Sequence, residues 1–278
     1  LIVVKLLIIV GLQATVISLL YRKMNNYKIS IITVCFNSQS TIRQTIDSVL
    51  SQDYDNVEYI VIDGASTDWT LRILDFFKDK IDYFISEKDK GIYNAMNKGI
   101  KASTGNIVGI LNSDDFYPNN KILSKVSKIF EESGCDCLYG DLVYVSQADG
   151  SKIVRYWQSG EFNVDRLNKG WMLPHPTFFV KKSVYEKYGL YNTDLKTAAD
   201  YEMILRLLYK NRLHVVYLPE IMVKMRMGGT SNQSFLNRIK ANKEDGIAWT
   251  KNQLEKPMFV RLKKPLLKLR QFFLKPRV

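Results

Sequence analysis

The chain has few of the residues that build disulfide frameworks or histidine-rich metal sites. Its 278 residues include three cysteines and two histidines. So few cysteines, and an odd number of them, do not make the disulfide network of a small secreted domain, which favours a reducing compartment. Two histidines are also too few for a zinc site rich in histidine. Any metal ion is therefore expected to be held by carboxylates, which favours Mg²⁺ or Mn²⁺.

Two phosphate-binding motifs are absent as well. No Gly-x-Gly-x-x-Gly follows the first predicted strand, and Gly-x4-Gly-Lys-Ser/Thr occurs nowhere in the chain. These absences argue against dinucleotide oxidoreductases and P-loop NTPases. Internal repeats and low-complexity segments are missing too, and a composition of 46% hydrophobic and 24% charged residues is that of a globular protein.

Acidic residues are outnumbered, 28 against 40 lysines and arginines, for a net charge of +12. Such an excess suggests an anionic partner: nucleic acid, an acidic membrane surface, or a phosphate-bearing substrate. After Glu255 there is no acidic residue, and basic and apolar residues interleave up to Arg277. This pattern is typical of a helix on an anionic bilayer surface, although three prolines limit its length. A solvated basic tail is the alternative.

The N-terminus carries the longest apolar run. Residues 1–20 are almost wholly apolar, and Arg22 and Lys23 follow them. A signal peptide is disfavoured because the cations follow the run and no small-residue cleavage site is evident. Two interpretations stay open: a signal anchor whose basic flank keeps the bulk of the protein in the cytoplasm, or an over-extended start ahead of Met24. In neither case do we expect residues 1–23 to be part of the fold.

From residue 29 onward, short apolar runs alternate with amphipathic stretches. We predict strands at 29–35, 59–63, 82–86 and 107–111, and helices at 40–52, 67–78 and 91–103. This alternation predicts an α/β fold with a mostly parallel central sheet and helices on both faces. After residue 116 the pattern loosens, and we predict helices near 120–133 and 198–210 and strands near 137–145 and 152–157.

Each of the four predicted strands leads into a segment that contains acidic or amide side chains. These segments are residues 36–37, 63–68, 86–91 and 112–115. Ligands of open α/β sheets bind at the carboxyl ends of the strands, so these residues predict a site. Asp68 has an alternative role as a helix cap. Asp114 and Asp115 repel each other, and a divalent cation that bridges them to diphosphate oxygens offsets this cost.

Six motifs follow one another in a recognisable order. They are TVCFN at 33–37, VIDGASTD at 61–68, SEKDKGIYNAMNKGI at 86–100, LNSDD at 111–115, AADYEMILRL at 198–207 and MGGTSN at 227–232. This series resembles the family 2 glycosyltransferases, especially cytoplasmic enzymes of bacterial capsule, exopolysaccharide or O-antigen assembly. The resemblance covers roughly residues 28–235. It implies a GT-A fold (Rossmann-like), a nucleotide-diphosphate sugar donor, a divalent cation and inversion at the anomeric carbon.

The resemblance also implies roles for single residues. Donor-binding residues are Thr33 and Phe36, which fall where the family contacts the nucleoside, together with Asn37, Asp63, Lys90 and Asp114. The family usually has Tyr at the position of Phe36. Asp63 matches the acid that hydrogen-bonds the base or ribose. Asp114 reaches the ribose or the metal, and Asp115 binds the cation most directly. Asp200 matches the catalytic base, with Ala199 in place of the commoner acid before it.

Several further residues have two interpretations each. Lys88 and Lys90 either pair with diphosphate oxygens or are simply solvated. His175, between two prolines, contacts donor phosphate, metal or acceptor, or makes a structural hydrogen bond. Trp171 stacks on an acceptor sugar or belongs to the core, and His214 is structural. A loop that closes over the donor is predicted at Gly228, Gly229 and Ser231.

We therefore predict a hexosyltransferase-type enzyme whose chain is divided into four regions. These are an N-terminal extension at 1–23, a nucleotide-sugar-binding half at 24–116, an acceptor-binding and catalytic half at 117–235, and a basic amphipathic tail at 236–278. The enzyme would be cytoplasmic and peripheral at the inner face of the cell membrane. We expect it to add a sugar to a saccharide acceptor that is linked to a lipid, in the synthesis of a surface polysaccharide.

Two other functional classes remain as alternatives. A sugar-phosphate nucleotidyltransferase also binds nucleotides at strand ends with a metal, but usually has a glycine-rich first loop that this chain lacks. A non-catalytic basic protein that binds membrane or nucleic acid would need only the positive charge. Acidic residues clustered at strand ends argue against that class, so no nucleic-acid partner is expected.

Overall fold

The computed structural model describes residues 27–228 and 235–257, together with Gln271 and Leu274; of residues 235–242 it describes only the backbone. The apolar segment 1–23, Gly229 and Ser231, and most of the basic C-terminal segment lie outside these residues. Within the described ranges, no helix combines the length and the apolar character that a membrane span requires.

The strands and helices follow in this order along the chain: β1 (Ile29–Cys35), α1 (Ile42–Leu50), β2 (Val57–Asp63), α2 (Thr70–Phe76), β3 (Tyr83–Ser86), α3 (Ile92–Ala102), β4 (Ile107–Ile110), β5 (Asp115–Phe116), α4 (Ile122–Ser133), β6 (Cys137–Val145), β7 (Ile153–Trp157), α5 (Val164–Asn168), β8 (Phe179–Lys181), α6 (Lys182–Tyr188), α7 (Ala199–Ile204), β9 (Val215–Arg226) and α8 (Phe235–Lys251). A π-helical stretch, Leu205–Lys210, continues α7. The α/β class predicted from the sequence is confirmed.

The strands form one mixed sheet in the order β3-β2-β1-β4-β8-β6-β9-β5, with β7 beside β6. The first four are all parallel, in a register that sets Cys35 opposite Asp63 and Ile29 opposite Ile107. All seven residues of β1 are buried, as expected of a parallel strand covered on both faces. In the second half, β8, β7 and β5 run antiparallel to their neighbours, and only β6 and β9 pair in parallel. The parallel part of the sheet is therefore the part that the sequence predicts best.

Helices cover both faces of the sheet. One face packs against α1, α2 and α4, and the other packs against α3, α6, α7 and α8. Helix α3 approaches β1 closely at Gly99, where an added Cβ would lie 2.4 Å from Ile32 Cγ2. Only a residue without a side chain fits at this crossing. The approach sets the first turn of α3 at the carboxyl ends of the parallel strands.

Six elements after β4 were not predicted from the sequence: β5, α5, β8, α6, β9 and α8. Strand β9 runs through Pro219 and shifts its register against β6 around Asp141, and both features interrupt the alternation by which a strand is recognised in a sequence. Helix α8 falls in the region predicted as the C-terminal tail. Its Trp249 is fully buried, and the indole N–H donates to the Tyr201 hydroxyl over 3.0 Å. The second half of α8 is thus packed in the same core as α7.

Candidate active site

Asp63 is the last residue of β2, and its side chain is hydrogen-bonded to the end of β3. The residue is fully buried, and its carboxylate accepts hydrogen bonds from Ser66 N (3.0 Å), Ser66 Oγ (2.5 Å) and Ser86 Oγ (2.6 Å). The Cys35 thiol lies 3.5 Å from the same carboxylate. Burial, followed by the charge of Asp63, raises the pKa of that thiol, which keeps it protonated. A fixed carboxylate therefore lies at the strand ends where a nucleoside is expected.

The turn after β1 is held against the same loop. Asn37 has a left-handed backbone, with φ of 49°, and its N–H donates to Ser66 Oγ over 2.8 Å. Its side-chain oxygen accepts from Thr67 N over 2.9 Å. Phe36, just before it, is 61% exposed and lies beside Gly64. These bonds present an aromatic ring to solvent at the end of β1, where a planar base can stack on it.

Thr33 has a different position from its neighbours in the predicted donor site. The residue is fully buried, and its hydroxyl accepts a hydrogen bond from the Tyr59 hydroxyl over 3.1 Å. The structure therefore places Thr33 in the layer beneath the strand ends and does not bring its side chain to the surface beside Phe36.

Asp114 and Asp115 follow β4, where the chain turns into β5. Asp115 is fully buried; its Oδ2 lies 3.4 Å from Asn112 Nδ2, and its Oδ1 has no hydrogen-bond partner among the described residues. Burial, followed by the charge of Asp114, raises the pKa of Asp115 well above its ordinary value. Asp114 is half-buried, and burial raises its pKa as well. Two acidic groups are thus held together at a cost in desolvation and repulsion.

This pair fits a divalent cation. A buried carboxylate oxygen without a partner, next to a second carboxylate, is an oxygen ligand of the kind that Mg²⁺ and Mn²⁺ prefer. In the part of the chain that the structure describes, no group of three His, Cys, Asp or Glu residues can hold a metal ion. Among the described residues this pair would hold the ion, and substrate phosphates and water would supply further ligands, as is usual for Mg²⁺.

Arg226 is a neighbour of the acidic pair that the sequence did not single out. It ends β9, which pairs with β5 so that Met225 is opposite Asp115. Its guanidinium lies 5.3 Å from the centre of the Phe116 ring, contacts the Gln44 side chain and donates to Gln147 O over 3.1 Å. Its positive charge opposes the rise in the pKa of both aspartates. The only sequence signal for Arg226 was its place beside the glycine motif.

The lysines after β3 differ in their surroundings. Lys98 pairs with Asp89 and, over 2.8 Å, with Glu87. Lys88 and Lys90 are exposed, and neither has a carboxylate partner within the described ranges. Lys90 lines a shallow surface pocket with Tyr93, Thr193, Leu195 and Lys196. Both lysines therefore remain available to an anionic ligand.

Asp200 lies at the start of α7, where segments distant in the chain converge. Its Oδ1 accepts a hydrogen bond from the Tyr93 hydroxyl over 3.1 Å, and its Oδ2 lies 3.0 Å from His175 Nδ1. The Tyr93 ring stacks on Tyr191, with 5.5 Å between their centres. Burial, followed by the charge of Asp200, raises the pKa of Tyr93, so the phenol stays a hydrogen-bond donor. The structure thus joins His175 to Asp200, a contact that the sequence did not specify.

The remaining predicted residues have mainly structural surroundings. Trp171 is 8% exposed, packs against Tyr139 and Phe162, and lies under the Arg166 guanidinium at 4.2 Å. Asp68 accepts from Thr70 N over 2.9 Å, the bond of a helix cap. Gly228 follows β9 with a φ of 108°, and a Cβ there would lie 3.1 Å from Gln147 Oε1.

Proteins of similar sequence are glycosyltransferases. A glycosyltransferase from Mycobacterium bovis, described as a PGL/p-HBAD biosynthesis glycosyltransferase, is 27% identical over 78% of this chain and 86% of its own length. An uncharacterized glycosyltransferase from Rickettsia typhi is 30% identical over 78% of this chain and 70% of its own length.

Solved structures show the same fold at low sequence identity. S. aureus TarS, residues 1–349, in complex with UDP-GlcNAc, has a TM-score of 0.65 and 19% identity, and the match covers 82% of this chain and 68% of that one. The mannosyltransferase PcManGT from Pyrobaculum calidifontis, in complex with GDP-Man and Mn²⁺, has a TM-score of 0.61 and 16% identity, over 90% of this chain and 70% of that one. The predicted GT-A fold is confirmed.

The family model of glycosyl transferase family 2 matches residues 30–189, more than half of the chain. This stretch includes the ends of β1, β2, β3 and β4, where Phe36, Asp63 and the Asp114–Asp115 pair lie. Glycosyltransferase relatives match most of the chain. They favour this class over the two alternatives, a sugar-phosphate nucleotidyltransferase and a non-catalytic basic protein. Because the family model matches more than half of the chain, and the fold and the relatives agree with it, the chain belongs to glycosyltransferase family 2.

Proposed function

We propose that this enzyme transfers one sugar from a nucleoside diphosphate to a saccharide acceptor, with a divalent cation and with inversion at the anomeric carbon. The observation that carries the proposal is the Asp114–Asp115 pair, in which Asp115 has a buried carboxylate oxygen without a partner. Asp114 and Asp115 would hold the cation, whose charge would offset the cost of keeping two carboxylates together.

The donor nucleoside would lie over the ends of β1 and β2. Phe36 offers an exposed aromatic face, and Asp63 is held in place by Ser66 and Ser86. The predicted donor-binding roles of Thr33, Asn37 and Lys90 remain part of the proposal; Thr33 and Asn37 would act by holding the strand end, and Lys90 as a cation for the diphosphate. TarS and PcManGT, with UDP-GlcNAc and GDP-Man bound, support a nucleotide sugar as the donor.

The cation would be Mg²⁺ or Mn²⁺, held by Asp114 and Asp115. When bound, it stabilises the charge that develops on the leaving nucleoside diphosphate. The charge of Arg226 opposes the rise in the pKa of both carboxyls, and this favours the ionised forms that bind a cation. The Mn²⁺ in PcManGT supports this choice of metal.

Inversion requires one displacement, in which the acceptor oxygen attacks the anomeric carbon opposite the diphosphate. A basic group must remove the proton of the acceptor hydroxyl as the new bond forms. Asp200 would be that base. It sits in the first turn of a helix, is 14% exposed at its side chain, and is held by Tyr93 and His175. No covalent intermediate is needed.

The acceptor would be a lipid-linked saccharide at the inner face of the cell membrane, for a surface polysaccharide. The basic and apolar residues after Glu255 support contact with an anionic bilayer. Two described residues of this segment lie against the sheet: Gln271 accepts from Arg155 Nε over 2.7 Å, and Leu274 packs beside the cluster around Phe116. These two residues thus lie against β7 and the cluster around Phe116. The loop at Gly228, Gly229 and Ser231 would close over the donor.

Nucleoside diphosphate release tests the proposal. UDP-, GDP- and dTDP-sugars are supplied with Mn²⁺ or with EDTA, and wild type is compared with Asp114→Asn and Asp200→Asn. Release from one donor should require Mn²⁺ and fall at least about 100-fold in either variant. Asp194→Asn is the matched control, since Asp194 is exposed and its carboxylate pairs with Lys251 over 2.7 Å. Release that is equal in EDTA would overturn the metal role.

A binding measurement separates catalysis from donor recognition. Thermal denaturation is followed with UDP, GDP or dTDP, each with Mn²⁺. Stabilisation by one nucleotide is expected, and it should disappear in Asp114→Asn but persist in Asp200→Asn, because Asp200 acts on the acceptor. Stabilisation by none of the three nucleotides would overturn the proposed function.

A further inference from the structure

The turn that follows α6 is fixed by the side chain of Arg206. This residue belongs to the π-helical stretch that continues α7, and its guanidinium donates to Tyr188 O over 2.7 Å and to Leu190 O over 2.6 Å. Gly189 lies between these two carbonyls with a φ of 90°, and a Cβ there would lie 2.9 Å from Arg206 Nη1. Glycine at this position therefore lets one guanidinium bind both carbonyls.

Asn97 holds the next residue of this turn, Tyr191. Asn97 lies on α3 and is buried; its Nδ2 donates to Tyr191 O over 2.9 Å, and its Oδ1 accepts from Tyr191 N over 2.9 Å. One amide side chain thus satisfies both main-chain polar groups of a single residue. The hydroxyl of Tyr191 is also hydrogen-bonded to that of Tyr185 in α6. Tyr191 is therefore held both at its backbone and at the far end of its ring.

The Tyr191 ring passes this constraint to Tyr93. The two rings are stacked, with 5.5 Å between their centres and 21° between their planes. Tyr93 is in the first turn of α3, and its hydroxyl donates to Asp200 Oδ1 over 3.1 Å. A tyrosine ring can turn about its side-chain torsions, and a stacked partner that is itself held in place limits this rotation. The position of Tyr191 thus determines where the Tyr93 hydroxyl meets the carboxylate.

We propose that Tyr191 is a positioning residue for the base: it holds the Tyr93 hydroxyl where that group orients the Asp200 carboxylate toward the acceptor hydroxyl. This inference rests on the proposed function, in which Asp200 removes the acceptor proton. A general base must lie within hydrogen-bond reach of the proton that it takes, and a displacement of about 1 Å can lower the rate about 100-fold. Tyr191 therefore acts on the chemical step through Tyr93 and does not itself bind the substrate.

Two replacements of Tyr191 separate the role of its ring from that of its hydroxyl. Tyr191→Leu removes the stacked ring. The kcat for nucleoside diphosphate release from the donor identified above should then fall about 10- to 100-fold, while the KM for donor stays within about twofold. Tyr191→Phe keeps the ring and should retain a kcat within about threefold of wild type. Tyr188→Leu is the matched control, because it makes the same change three residues earlier, at a ring that lies beside Lys187; it should leave both constants unchanged.

A double-mutant cycle tests whether Tyr191 acts through the Tyr93 hydroxyl. Tyr93→Phe removes that hydroxyl and keeps the ring, so it should lower kcat by itself. Adding Tyr191→Leu to Tyr93→Phe should then lower kcat by less than about twofold more, because the contact that Tyr191 maintains is already lost. Losses that multiply in the double variant would overturn the inference, and so would a kcat of Tyr191→Leu within about threefold of wild type.

The geometry of the Tyr191→Leu variant can be measured without turnover. In its crystal structure, the distance from Tyr93 Oη to Asp200 Oδ1 should exceed about 3.5 Å. A bond that persists at 3.1 Å, as in the wild type, would overturn the inference even in an active glycosyltransferase. If Tyr191→Leu fails to fold, Asn97→Ser, which frees the Tyr191 backbone, takes its place in both experiments. A wild type that releases no nucleoside diphosphate from any donor contradicts the proposed function, and the crystal structure still decides whether Tyr191 holds Tyr93.

Discussion

The Ser86 hydroxyl donates a 2.6 Å hydrogen bond to the Asp63 carboxylate and thereby joins the carboxyl ends of two neighbouring parallel strands. Ser86 is the last residue of β3, and Asp63 is the last residue of β2. The two are paired opposite each other in the sheet. The position of Asp63 thus depends on the edge strand as well as on its own.

Ser86→Ala should weaken donor binding more than it weakens the fold. Asp63 loses one of its hydrogen bonds, which costs about 1–2 kcal/mol of unfolding free energy, and its carboxylate gains freedom to turn away from the nucleoside. We expect the KM for donor to rise several-fold with little change in kcat. Urea unfolding and steady-state kinetics measure the two effects. Ser51→Ala is the control, because Ser51 is exposed on α1's C-terminal cap and bonds only locally. An unchanged KM would contradict this role of Ser86.

Asp115→Asn should stabilise the protein without metal and abolish the response to it. Burial and Asp114 raise the pKa of Asp115 in the folded state, so its ionised form destabilises the fold at neutral pH. That penalty appears as the pH rises above the ordinary aspartate value and is relieved as the pH falls below the raised one. The neutral amide avoids it. We expect a higher Tm in EDTA, and no further rise with Mn²⁺ and nucleotide. A lower Tm in EDTA would show that Asp115 is already compensated within the protein.

Glu58 should contribute to stability above its ordinary pKa and lose this contribution in acid. Burial opposes its ionised form, but hydrogen bonds from Ser30, Thr104 and Lys28 outweigh that effect and lower the pKa of Glu58 to about 2. Stabilisation is thus complete above about pH 4.5 and is lost as the pH falls from there to about 2. Glu58→Gln should cost about 1–2 kcal/mol at pH 7, after allowance for solvent screening. The difference should shrink at pH 3.

Urea unfolding of wild type and Glu58→Gln at the two pH values tests this dependence. Glu132→Gln serves as the control, because Glu132 is exposed and its ion pair with Lys128 is worth little. A difference between wild type and Glu58→Gln that grows on acidification would have the wrong sign for the proposed network.

Trp249→Ala should destabilise the whole protein, since α8 completes the core on one face of the sheet. The Trp249 side chain is fully buried and bonds to Tyr201 in α7. Removal of a buried tryptophan costs about 3–5 kcal/mol of unfolding free energy. Thr250→Ala changes an exposed neighbour on the same helix and should have almost no effect. If Trp249→Ala unfolds with the wild-type midpoint in urea, α8 is a separate tail, as its composition first indicated.

The first half of the fold was predictable because the apolar pattern of its strands fits only one kind of structure. Runs such as Ile29–Cys35 are apolar on both faces, and only a buried parallel strand between helices satisfies them. The second half follows tertiary constraints. Strands β5 and β8 are two and three residues long, too short for any periodicity, and β9 contains a proline. Helix α8 is mostly polar, so only its position against α7 reveals that Trp249 belongs to the core.

The candidate site was also predictable only in part. Acids at strand ends are visible in the sequence, because a strand end follows directly from the apolar run before it. Their partners are not visible: Ser86, Arg226 and Tyr93 reach them only through the pairing of strands and the packing of α3. The partner of Thr33 could not be predicted either, since its hydrogen bond with Tyr59 depends on the register of β1 against β2.

We expect the centre around Asp200 to form late in folding. Tyr93 and Asp200 are 107 residues apart in the chain, and the loop between them must close before their hydrogen bond can form. Contacts of such long sequence separation are slow to form and are established together with the completed sheet. A nascent or partly refolded chain can have its first four strands in place and still lack the proton acceptor. Recovery of transferase activity during refolding should therefore coincide with the last structural phase, and no partly folded form should consume activated sugar.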